Sequence, residues 1–152
     1  CGYHLVGTGK NLPAHLKTIS IPVFKNTSSQ PEIHRELTSA ILQSFISDGR
    51  LKVAKKDAAD LVMNGTLSYY KKRAVSFNSQ DLVSDFIIEI EVELEVIDQI
   101  KGKVFLKEKL KNQWDYKTNT DIADNEIARL EALDQAYIDL GNRLVSLIID
   151  QF

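Results

Sequence analysis

The stretch from Asp85 to Asp98, "DFIIEIEVELEVID", alternates strictly from Ile88 to Val96: Phe86, Ile88, Ile90, Val92, Leu94 and Val96 share one parity, and Glu89, Glu91, Glu93 and Glu95 the other. Successive side chains of a strand point to opposite faces, so the segment satisfies both sets only as a long strand buried on one face and wet on the other. A chain built around it must cover one face with apolar elements and leave the other to water or a polar partner. After a turn around Asp98 to Gly102, "KVFLKEKLKNQW" is predicted to return antiparallel, with Val104, Leu106 and Leu110 alternating with Phe105, Lys107, Lys109 and Lys111. Only registers that keep parity hold the glutamates out of the core. A hairpin centred near Ile100 sets Glu93 opposite Lys107, Glu91 opposite Lys109 and Glu89 opposite Lys111. Exposed pairs of this kind contribute ~0.2 to 1 kcal/mol each, so the ladder acts chiefly on register.

Two helices are predicted to supply the cover. In "SSQPEIHRELTSAILQSFISDG", Ile33, Leu37, Ala40, Ile41 and Phe45 fall on one stripe. Ser29 and Glu32 have capping-box spacing, Pro31 lies in the first turn, and Gly49 can take the left-handed conformation past the end. Residues 122 to 150 place Ile127, Leu130, Leu133, Tyr137, Leu140, Leu144 and Leu147 three or four apart, with Gly141 in mid-helix reserved for a close approach. Further strands are expected at 17 to 24, where Ile19, Ile21 and Val23 alternate and Pro22 marks an edge or bulge, at Leu51 to Val53, and at 60 to 77, where Gly65 marks a bulge or close approach. The expected fold is α+β: a two-layer sandwich with two helices on one face of a four- to five-stranded, mostly antiparallel sheet. Residues 1 to 16 read as an arm and 17 to 152 as a single domain.

A net charge of -2 gives no global basic field, so no nucleic-acid partner is expected. No Gly-rich phosphate loop, HExxH, GxSxG or metal-ligand spacing occurs, and no cofactor or catalytic residue is proposed. His4, His15 and His34 lie in the arm and off the stripe of the first helix. The four glutamates are spread along one strand face instead of converging in a cleft, which argues against acid–base catalysis. The reading is non-enzymatic.

Two features remain. In "YYKKRAV", Tyr69 and Tyr70 precede Lys71, Lys72 and Arg73, so that Lys71 and Arg73 project together and Lys72 points away. Such groups engage phosphate, and they equally guard a strand edge against aggregation. Cys1, the single cysteine, can form no internal disulfide. If a signal peptide is cleaved before it, Cys1 becomes an acylated first residue, whose several chains tether a domain that a single chain would hold only reversibly.

The segments "CGYHL", "LPAHLKTISIPVFKNTSSQPEIHRELTSAI", "ADLVMNGTLSYY", the Glu-rich strand and "NEIARLEAL" together resemble the LptE-type lipopolysaccharide-assembly lipoproteins along essentially the whole chain. The resemblance implies two helices on one face of a mostly antiparallel sheet. It implies an outer-membrane lipoprotein anchored through Cys1, with Gly2 in place of a retention Asp. It further implies a protein that plugs the LptD β-barrel, assists its assembly and aids insertion of lipopolysaccharide into the outer leaflet. The surface offered to the barrel would be Glu89, Glu91, Glu93, Lys107, Lys109 and Lys111, because a hydrated lumen favours a polar plug. Family members carry a basic residue in the loop before the long strand. Here Ser76 to Asp81 has none, which moves the expected lipopolysaccharide contact to Tyr69, Tyr70, Lys71, Lys72 and Arg73. The N-terminal half also resembles TolB-like and curli-secretion-type lipoproteins, which would make the chain a periplasmic adaptor or secretion component.

Overall fold

The computed structural model describes residues 12–77, 79–80, 83–118 and 121–150. The alternating segment forms the middle strand of a three-stranded antiparallel meander within a mixed six-stranded sheet. In chain order the elements are β1 (Thr18–Ser20), β2 (Lys25–Asn26), α1 (Ile33–Asp48), β3 (Lys52–Val53), a 3-10 turn at Lys56–Ala58, β4 (Leu61–Phe77), β5 (Val83–Asp98), β6 (Lys103–Lys117) and α2 (Ile122–Ile149). The strands run β3-β1-β4-β5-β6, with β2 also paired to β4. Both short N-terminal strands lie parallel to β4, whereas β4, β5 and β6 form a long antiparallel meander. The two-layer α+β expectation holds, with β2 as an additional short strand.

The predicted strand at 17 to 24 divides at Pro22. A residue with no N–H cannot complete a ladder, and the chain leaves the sheet between Ser20 and Lys25. This excursion exposes Val23, against expectation, and buries Phe24 in its place. The Phe24 ring lies over Gly65: a Cβ there would come within 2.3 Å of the ring, so Gly65 serves a close approach. The bulge in β4 falls later, at Ser68. Leu67 pairs with Val92 and Tyr69 with Glu91, leaving Ser68 as the extra residue, its hydroxyl donating to the Glu91 carbonyl at 3.2 Å. Leu61, Met63 and Leu67 point toward the helices before it, and Tyr70 after it.

Helix α1 departs from its predicted start. Glu32 is the N-cap at φ 72° with no side-chain cap bond, and the Ser29 hydroxyl donates instead to the Tyr70 carbonyl at 3.2 Å. The capping box is therefore absent, because Ser29 ties the chain to β4. At the other end Gly49, at φ 78°, closes the helix with its N–H on the Phe45 carbonyl. Thr38, which lies off the predicted stripe, is buried and accepts from the Phe24 N–H at 2.9 Å.

Helix α2 is capped by Asp121, whose carboxylate accepts from the Ala123 N–H at 2.8 Å. The helices run in the same direction and end together, with Arg50 bound to Asp150 at 3.1 Å. Gly141 sits against α1, where a Cβ would meet the Ser44 hydroxyl at 2.3 Å and the Ala40 carbonyl at 3.3 Å. At 28 residues against 16, α2 extends about 18 Å beyond the start of α1. Among the described residues its first turns have no helical neighbour, so Ile127 and Leu130 are exposed although their spacing is that of the core stripe. Leu133, Tyr137, Leu140 and Leu144 are buried as expected.

Candidate partner and ligand surfaces

All of Ile88, Ile90, Val92, Leu94 and Val96 are buried beneath the helices. Among the described residues no helix lies on the other face of β4, β5 and β6, which holds the predicted charges. The Glu/Lys ladder forms two residues away from its predicted register: Glu91 pairs with Lys111, Glu93 with Lys109 and Glu95 with Lys107, while Glu89 faces Gln113. The turn explains the shift. The buried Asp98 carboxylate accepts from the N–H groups of Ile100 at 3.0 Å and Lys101 at 2.9 Å, Gly102 takes φ 66°, and Phe105 is an extra residue in β6. Together these move the hairpin centre toward the C-terminus without changing parity.

The ladder neutralises much of its own charge. Lys109 Nζ lies 3.6 Å from Glu91 and 3.4 Å from Glu93, and these carboxylates, Glu91 foremost, hold its pKa above the usual lysine value. Lys111 Nζ sits 4.9 Å from the centroid of the Tyr69 ring. Beside these residues lies an open groove of about 760 Å³, bounded by Val23 and Lys25, floored by Gly65 and Glu93, and closed by Lys107 and Lys109.

The aromatic-basic cluster is divided between two faces. Arg73 is on the open face, with Nε 3.1 Å from Glu89, and Lys71 is exposed on the same face. Tyr70 and Lys72 turn toward α2: the Tyr70 hydroxyl accepts from Arg129 at 3.4 Å, and Lys72 Nζ stands 4.8 Å from the centroid of Phe86. Phe86 stacks on Tyr116 with centroids 5.5 Å apart. The hydrogen bond to Glu126 is the main reason that Arg129 is held above the usual arginine pKa. The second cationic group, formed by Lys72 and Arg129, joins residues far apart in the chain and carries no local sequence signal.

A polar link that was not predicted closes the opposite end. His15 Nε2 lies 2.7 Å from the Asp98 carboxylate. Burial works to raise the Asp98 pKa, but the hydrogen bonds from His15, Lys101 and Ile100 outweigh it and hold the group below the usual carboxylate value. An Asp at the entrance of a turn containing Gly102 is a readable cue; its partnership with a histidine 83 residues away is not. Cys1 lies outside the described residues. Among the described residues no helix is long and apolar enough to cross a membrane, and no cluster of three or more His, Cys, Asp or Glu could hold a metal.

A comparison with curated proteins finds no match. The fold is similar to the PelC dodecamer of Paraburkholderia phytofirmans, with a TM-score of 0.60 at 12% identity over 92% of this chain and 93% of that one. It is also similar to the rare lipoprotein B of Shewanella oneidensis, at 0.57 and 18% over 82% and 91%, and to a minor lipoprotein of Acinetobacter baumannii, at 0.58 and 13% over 87% and 90%. At these identities the likeness is one of fold. The family model described as LptE, lipopolysaccharide-assembly, matches residues 16–151. Because that match runs through every strand and both helices instead of one motif, the chain belongs to the LptE lipopolysaccharide-assembly family, non-enzymatic lipoproteins of the cell envelope.

Proposed function

We propose that the chain is a lipid-anchored outer-membrane lipoprotein that plugs a lipopolysaccharide-translocating barrel of the LptD type, assists its assembly and aids insertion of lipopolysaccharide into the outer leaflet. The observation that carries this reading is the helix-free face of the meander. It is broad and polar, and Lys109, Glu91 and Glu93 satisfy one another there. A hydrated lumen accepts such a face, whereas an apolar face would aggregate before it met a partner. In this reading Cys1 carries the acyl chains, and mass spectrometry of the N-terminal peptide from the native host distinguishes these from a bare thiol. The lipopolysaccharide contact would use Lys71 and Arg73 with Tyr69 on one face, and Lys72 with Tyr70 on the other.

The test is a pull-down from outer-membrane extract, repeated with Lys107→Glu, Lys109→Glu and Lys111→Glu combined. Recovery of a single barrel by the unaltered protein and its loss with the triple variant are expected. A barrel recovered equally well by both moves the docking surface off this face. A self-assembled ring with no barrel supports the secretion-component alternative.

A further inference from the structure

Strand β4 has a second edge that the sheet leaves open. On the side away from β5 it is paired by β1 at Leu61 and Val62, and by β2 at Thr66 and Leu67. The row ends with the Thr27 N–H on the Leu67 carbonyl at 2.9 Å. The chain is then diverted by a turn in which Asn26 accepts from the Ser28 N–H at 2.9 Å, and Ser29 takes the Tyr70 carbonyl. From Lys71 to Val75 the described residues provide no strand on that side. This length is about 17 Å, enough for a short strand.

We infer that the Lys71–Val75 edge of β4 is a docking site for an acidic extended segment of a partner protein, which adds a strand in line with β2. This goes beyond the plug reading, which concerns the face of the meander, and it sets Lys71 and Arg73, which that reading offers to lipopolysaccharide, beside the carboxylates of a protein strand instead. Main-chain hydrogen bonding would supply affinity, and the side chains beside the edge would select the occupant. Those side chains are three consecutive cations in a chain of net charge -2. Glu89 is already engaged by Arg73, and Lys71 has no ion pair among the described residues. An incoming strand with carboxylates two residues apart places one beside Lys71 and one beside Arg73. A second copy of this chain is disfavoured, because antiparallel pairing centred on Lys72 sets Lys71 against Arg73 in both directions. Lysines that guard an edge repel neutral aggregation and basic strands, and they leave acidic strands admissible.

The probe is a synthetic ten-residue peptide of alternating threonine and glutamate, titrated into the full chain by calorimetry and by amide hydrogen exchange. Saturable binding is expected, with new protection confined to the amides from Lys71 to Val75. Affinity should fall at least tenfold when alternate peptide nitrogens are methylated, and at least tenfold with Lys71→Glu. The methylated peptide needs no protein variant, so the test stands even if that variant folds poorly. Equal binding of the methylated peptide, protection elsewhere, absence of binding, or an edge already occupied by a second copy in sedimentation would each overturn the inference. None of these outcomes depends on whether a barrel is recovered in the pull-down.

Discussion

The two faces of β5 are made by neighbouring residues of one segment, yet different physics governs each. Toward the helices, Ile88, Ile90 and Val92 are fully buried, and each owes its place to area removed from water. Toward the open side, Glu89, Glu91 and Glu93 hold ion pairs that solvent screens. The first set determines that the domain folds, and the second determines what its surface can meet. Stability and recognition are therefore separable by parity along a single strand.

That separation can be broken most strongly from the covered side. Ile90→Ala, at the centre of the core, is expected to lower unfolding free energy by about 2 to 5 kcal/mol, as measured by urea denaturation. A loss under 1 kcal/mol would mean that the covered face does not govern folding. Next comes Gly65→Ala. Its Cβ would collide with the Phe24 ring, so a cost of about 1 to 3 kcal/mol is expected, and Phe24→Leu in the same chain should recover part of it. The smallest effect belongs to the open side: Lys109→Ala should change stability by less than about 0.5 kcal/mol, and the change should shrink further in 0.5 M salt. A larger loss would make the ladder a structural element and weaken the claim that this face is held for partners.

Parity was legible in the sequence because it is local: the alternation in β5 and the spacing of Leu133, Tyr137, Leu140 and Leu144 each record one face of one element. Offsets between elements were not. The extra residues Ser68 and Phe105 have no distinctive composition, and the hairpin register depended on how Asp98 binds its turn, so the ladder formed two residues from its expected place. Ser29 and Glu32 had the spacing of a cap, but Ser29 was claimed by the Tyr70 carbonyl. Ile127 and Leu130 had the spacing of a core stripe, but nothing in their own segment shows that α1 begins too late to cover them. The candidate site suffered most, since the division of Tyr69 to Arg73 between two faces and the approach of Arg129 depend on contacts across the chain.

Ser68 has a further consequence. It acts as a phase shifter: if Ser68 took a regular place in the ladder, the alternation of the first half of β4 would carry on, bringing Tyr69, Lys71 and Arg73 beneath α2 and turning Tyr70 out to solvent. Loss of one residue here would be absorbed by the bulge and leave the distal half facing as it does, whereas loss of one residue at a regularly paired stretch of the strand would turn every later side chain to the other face. The bulge thus makes this one point of β4 tolerant of a shortening that the rest of the strand is not.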